Sequence, residues 1–246
     1  MRSLLGLALV LGLAGCVQPM ANLPPLPPAK GQSAPPTASE IASANAKGKA
    51  KVQLFLDVVA KVGPEARKLC VAKAIATNCD FQIVIDTRLG QPENAYQTLD
   101  YRGRPVVAFT LALLADARDA DEIAFVMGHE AAHHILGHIA LQDQTAREAA
   151  KAAGAAAYAN GASAAEIRKA AQQGAEASTL GFSKTFELEA DALGAEVAYR
   201  AGYNPLRGAR FFDRLPEPHR GKDSTHPDNR TRKALIAKVM ARLRRG

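Results

Sequence analysis

The chain has 246 residues, with 31 Lys and Arg against 24 Asp and Glu, a formal net charge of +7 at pH 7, three cysteines and no tryptophan. Once an N-terminal leader and tether are set aside, about 200 residues remain, enough for one domain with a core of Leu, Ile, Val and Ala. No internal repeat of roughly 20 to 50 residues is visible, so a single core carries the fold.

Arg2 precedes an apolar run from Leu4 to Leu13 that is too short to span a bilayer, so residues 1–15 read as a signal peptide. Leu13-Ala14-Gly15-Cys16 closes it as a lipobox. Cys16 is therefore the expected lipidation site, with cleavage just before it, and its acyl chains contribute roughly 0.8 kcal/mol of anchoring per buried methylene. Val17 follows instead of Asp; by resemblance to bacterial lipoproteins, the expected address is the periplasmic face of the outer membrane. Residues 16–43 carry Pro24-Pro25 and Pro27-Pro28 and few large apolar side chains. Such a stretch buries too little to fold and reads as a lipid-anchored tether. The folded domain is then 44–246.

A helix is expected over Val58 to Ala76, followed by a buried strand from Phe81 to Asp86. With Cys16 acylated, Cys70 and Cys79 are an even pair close in sequence, and an oxidising compartment favours a disulfide pinning that helix to that strand. The alternative is two reduced, buried thiols. Pro105-Val106-Val107-Ala108-Phe109-Thr110 reads as another strand, and Pro105 suits a sheet edge.

Asp119 and Glu122 form a capping-box-like pair ahead of Ile123, Ala124, Val126 and Met127, which marks a helix start. Inside that helix lies His129-Glu130-Ala131-Ala132-His133. Residues four apart share a helix face, so His129 and His133 can hold one metal ion while Glu130 stands beside it as a general base. A zinc hydrolase needs a third protein ligand. At about 100° per residue His134 and His138 lie roughly 140° and 180° around the helix from His129, out of reach of a metal held by His129 and His133. A third histidine just after a turn would need Gly at 136 and His at 139, and the chain has Leu136 and Ile139 there.

Residues 146–177 are dominated by alanine. They read either as a cover over a cleft or as a solvent-facing helical hairpin. Phe186-Glu187-Leu188-Glu189-Ala190-Asp191 then opens a helix ending at Gly202. Glu187 and Asp191 are four apart, so one carboxylate can ligate a metal while the other orients a ligating histidine; equally, the three acids can be the solvated first turn of an ordinary helix. In Thr225-His226-Pro227, His226 can swing to the metal as a fourth ligand, donate to a tetrahedral oxyanion, or simply anchor its loop. Arg230 is a second candidate oxyanion donor. The basic tail through Arg232, Lys233, Lys238, Arg242, Arg244 and Arg245 reads as a solvated helix face, and nucleic acid is not an expected partner.

Four stretches in order carry a resemblance: Asn94-Ala95-Tyr96; the HEAAH helix with Leu136-Gly137-His138; Glu187 to Asp191 with Ala201-Gly202-Tyr203-Asn204-Pro205; and Thr225-His226-Pro227 with Arg230 and Arg232. Over about residues 50 to 240 the chain resembles the zinc metallopeptidases that include the CAAX prenyl proteases and HtpX-type proteases, in particular their periplasmic lipoprotein members. The resemblance implies a zincin-like α+β fold, mostly helical, with a small sheet whose edge strand flanks the HExxH helix and pairs with extended substrate. It implies one Zn2+ held by His129, His133 and Glu187, with Glu130 as base and Asp191 behind the ligands.

The function so implied is a zinc-dependent endopeptidase acting on unfolded or misassembled envelope polypeptides. The alternative is a chaperone or assembly factor for outer-membrane proteins that uses the same cleft with little proteolysis. The family's membrane-spanning members carry helices not found in this sequence, so prenylated substrates do not follow from the resemblance.

Overall fold

The computed structural model describes residues 38–75, 78–217 and 227–245, and its main body spans Ala42–Gly246. The signal peptide, Cys16 and most of the tether lie outside the described residues, as does His226. Among the described residues no helix is long and apolar enough to cross a membrane.

Helix α1 runs Ala38–Lys73. It begins inside the stretch expected to be tether up to residue 43, because Ala38-Ser39-Glu40 and the alanines that follow favour helix once the prolines stop. Its buried face is Phe55, Val58, Val62, Ala66, Leu69 and Cys70, the three-to-four-residue spacing of a helix packed on a core. Cys70, near its C-terminus, is joined to Cys79 by a disulfide.

The sheet has three strands: β1 (Gln82–Asp86), β2 (Ala95–Leu99) and β3 (Pro105–Thr110). Their order is β1-β3-β2, parallel between β1 and β3 and antiparallel between β2 and β3. This corrects two expectations. The strand at Pro105 is central, and Pro105 is tolerated as its first residue, opposite Leu99, where a missing N–H costs little. The strand after Phe81 is an edge and only partly buried, with Val84 42% exposed. The edge nearer the HExxH helix is β2, a short strand not foreseen from the sequence. Its hairpin to β3 is closed by Asp100, whose side chain accepts from the Arg102 and Arg104 backbones at 2.8 and 2.9 Å.

After the short α2 (Leu111–Asp116), α3 (Ala120–Ile135) carries the HExxH motif. Asp119 caps it by accepting from the N–H groups of Asp121 and Glu122 at 2.9 and 3.1 Å. The Glu122 side chain accepts from Arg118 N at 2.9 Å and pairs with Arg214 at 2.7 Å, so the helix start is tied to the chain 92 residues later. Ile123, Phe125, Met127, Ala131 and Ile135 are buried together, as expected of a helix apolar on nearly all sides.

Two long helices follow, α4 (His138–Ala159) and α5 (Ala164–Arg200), the second opened by a Ser163/Glu166 capping box. Their Ala-rich parts form the solvent-facing hairpin, one of the two readings of residues 146–177. The helices pack closely because the contact positions are small: a Cβ on Gly174 would lie 2.7 Å from the Ala153 side chain. The same device sets α3 against α5. A Cβ on Gly194 would lie 2.6 Å from His129 N, and one on Gly128 would lie 2.6 Å from Gly194 O. This glycine crossing lets the two helix backbones meet next to His129. Helix α6 (Pro205–Gly208), a 3-10 turn (Ala209–Asp213) and α7 (Asn229–Leu243) close the core.

Candidate metal centre

Helix periodicity puts His129 and His133 on one face of α3, and the glycine crossing brings α5 across that face at Glu187. His129 Nε2 and His133 Nε2 are 3.2 Å apart. Glu187 Oε2 is 3.6 Å from the first, and Glu187 Oε1 is 3.4 Å from the second. Donors bound to zinc at roughly 2.0–2.2 Å in a tetrahedron lie about 3.3–3.5 Å from one another; one donor atom from each of the three residues lies within 4.8 Å of the others, close enough to share one such ion. Lone pairs aimed at one another at this spacing repel unless a cation or a proton lies among them, and two imidazoles with one carboxylate are a donor set suited to zinc. Among the described residues this is the cluster of His, Cys, Asp or Glu able to hold a metal.

Each histidine is gripped from behind. His129 Nδ1 lies 3.0 Å from Asp191 Oδ1, and Arg232 on α7 holds Asp191 with Nε and Nη2 at 2.7 and 2.8 Å. Arg232 also reaches Glu187 Oε2 at 3.1 Å and lies over the Phe212 ring at 4.2 Å. Burial alone would raise the pKa of Asp191, but its bonds to Arg232 and His129 hold it below the ordinary carboxylate range. Burial likewise works to lower His129, and the Asp191 carboxylate overcomes it, so His129 is raised. His133 is lowered, chiefly by burial.

Glu130 lines the same groove, a cavity of about 420 Å³ that also touches β2 at Ala95, Tyr96 and Gln97. Burial pushes its carboxyl up to about 7; His129 and Arg232 pull it down and Glu187 pushes it up.

Glu187, Glu189 and Asp191 sit deep within α5, so they are not the dipole-favoured first turn of a helix. The expected opening at Phe186 fails because the helix begun at Ala164 runs through it without a break. Arg230 does not enter the site: it is exposed on α7, two residues and thus about 200° around the helix from the buried Arg232. The arginine that reaches the carboxylates was assigned to a solvated tail. Its signal was present in the spacing, since Arg232, Ile236 and Met240 recur every four residues and are all buried.

His138 stays outside the ligand trio, as expected, but for a different reason. Gly137 adopts φ +70, ends α3 in the left-handed region and starts α4 in a new direction, so the rotation of a continuous helix does not apply. His138 is 3% exposed and lines the groove, with Nδ1 2.9 Å from His133 Nδ1, Nε2 3.2 Å from Glu189 Oε2, and its ring stacked on Phe186. Burial, with His133 and His129 nearby, pushes its pKa down to about 4. His134 points elsewhere, with Nε2 2.6 Å from Asn78 O.

No curated protein matches the chain. A family model does, over residues 60–239, a span that includes α3, the glycine crossing, Glu187, Asp191 and Arg232. The chain belongs to peptidase family M48, a family of metallopeptidases.

Proposed function

We propose that the protein is a zinc-dependent endopeptidase, held through acylated Cys16 on the periplasmic face of the outer membrane, that cuts unfolded or misassembled envelope polypeptides. The observation that carries the catalytic reading is the convergence of His129, His133 and Glu187 donors at 3.2–3.6 Å beside Glu130. Zinc held by these residues would supply Lewis-acid polarisation of a carbonyl and activation of a water.

The chain's own residues do the rest. Glu130 takes the proton of the attacking water on a carboxylate oxygen and passes it to the leaving amine nitrogen. Asp191, clamped by Arg232, keeps the His129 Nε2 lone pair aimed into the cluster. Among the described residues strand β2 has a strand partner on one side only, so its other edge is available to an extended peptide, which supports an unfolded substrate of tolerant sequence. Leu113, Phe125, Phe211 and Phe212 give the groove apolar walls for substrate side chains.

The test is cleavage of a reduced, carboxymethylated protein and of its native form by the full chain, before and after chelation and zinc addition, with membrane fractionation of Cys16→Ser alongside. The expected results are cutting of the unfolded form only, lost and restored with zinc, and release of Cys16→Ser from the membrane fraction. Undiminished cutting after complete metal removal would exclude the zinc mechanism.

A further inference from the structure

We propose that His138 is a positioning residue for the metal ligand His133, and that Glu189 in turn fixes the tautomer of His138. The assignment rests on the zinc reading above and concerns a part of the site that reading does not need.

Only one arrangement of protons fits the observed contacts. His133 presents Nε2 to the cluster of donors, so as a ligand it carries its proton on Nδ1. The His138 Nδ1 atom lies 2.9 Å from that nitrogen. It must therefore accept, which places the proton of His138 on Nε2, and that nitrogen faces Glu189 Oε2 at 3.2 Å. The imidazole cannot turn away easily: it is 3% exposed and stacked on Phe186 at 4.2 Å with an 11° interplanar angle.

His129 and His133 are thus held by unlike devices. One donates from Nδ1 to a buried carboxylate clamped by arginine; the other donates to a neutral imidazole oriented by a carboxylate that is 52% exposed. A ligand hydrogen-bonded from behind binds its metal more tightly, and losing such a partner costs roughly 10- to 100-fold in metal affinity.

The break at Gly137 is what makes this possible. Were α3 to continue, residue 138 would point away from the site, whereas the left-handed turn brings it back under His133.

The experiment measures zinc affinity and the rate of zinc loss to a chelator for the full chain and for His138→Phe, His138→Asn and Glu189→Gln. Phenylalanine keeps the stacked ring but cannot accept a hydrogen bond; asparagine restores an acceptor near the position of Nδ1. Expected is a 10- to 100-fold loss of affinity in His138→Phe, recovery of most of it in His138→Asn, and a smaller loss in Glu189→Gln. Equal affinity of wild type and His138→Phe overturns the assignment while leaving the zinc site standing, and so does an equal loss in both His138 variants, since that marks a merely structural residue. A wild-type chain that takes up no zinc overturns the zinc reading and this assignment together. If His138→Phe does not fold, ring-nitrogen NMR of the zinc-loaded wild type decides: a His138 proton on Nε2 supports the relay, and one on Nδ1 overturns it.

Discussion

Arg232 and Asp191 form a two-pronged ion pair, Nε to Oδ2 at 2.7 Å and Nη2 to Oδ1 at 2.8 Å, with the carboxylate fully buried. The pair links α7 to α5 and, through the 3.0 Å contact of Asp191 with His129, to α3. Removing the guanidinium alone strands a buried charge. Arg232→Met should therefore destabilise the metal-free protein by about 3 kcal/mol and weaken zinc binding roughly 10- to 100-fold. Arg230→Met, on the exposed side of the same helix, should change neither. Urea unfolding and zinc titration of the two variants check this, and equal behaviour of the pair would refute it.

The raised pKa of Glu130 gives the metal-free protein a defined pH response. Glu130 rises from an ordinary 4.5 to about 7, so the fold favours its protonated form; that contribution is fully present below about pH 4.5 and is lost as pH rises through 7. Glutamine mimics the protonated form at every pH. Metal-free Glu130→Gln should therefore gain stability over wild type across this interval, by up to about 3 kcal/mol above pH 7. A pH series of melting temperatures measures it, and a constant difference would show that Glu130 is not so perturbed.

Zinc affinity should fall with acid for a related reason. His129, raised above its ordinary 6.5 by Asp191 against the opposing effect of burial, must give up its proton to bind metal. The dissociation constant should rise about tenfold per pH unit below the raised value and level off above it. Competition with a chelator of known affinity between pH 5.5 and 8 reads the slope; a flat profile would mean that His129 is already neutral.

Two glycine substitutions should have opposite signs. Gly194→Ala places a methyl 2.6 Å from the His129 backbone, forcing α3 from α5, and should cost about 1–3 kcal/mol or more together with zinc affinity. Gly48→Ala meets nothing within 4 Å in α1 and should stabilise by about 0.5–1 kcal/mol through helix propensity. Thermal melts of both variants suffice.

What could be read from the sequence was what local periodicity encodes. The i, i+4 spacing fixed the shared face of His129 and His133, and the same spacing made Glu187 and Asp191 a pair before any partner was known. The resemblance then chose between ligand and solvated acid, a choice that depended on a helix crossing set by Gly128 and Gly194. The residues missed depended on breaks and returns of the chain. His138 was placed by extending a helix past Gly137. Arg232 was hidden among charges that are mostly solvated, although its spacing with Ile236 and Met240 marked the buried face. Strand β2 was missed because Ala95-Tyr96-Gln97-Thr98-Leu99 is short and weakly alternating, and it becomes a strand only through pairing with β3.

The most direct test of the central claim is zinc content and cleavage of an unfolded protein measured together for wild type and Glu130→Gln. The expected result is one zinc ion per chain in both proteins, with cleavage in wild type and a loss of at least about a hundredfold in Glu130→Gln, as removal of a general base requires. Stoichiometric zinc with equal cleavage by the two proteins, or with none by either, would contradict a peptidase that uses Glu130 as its base.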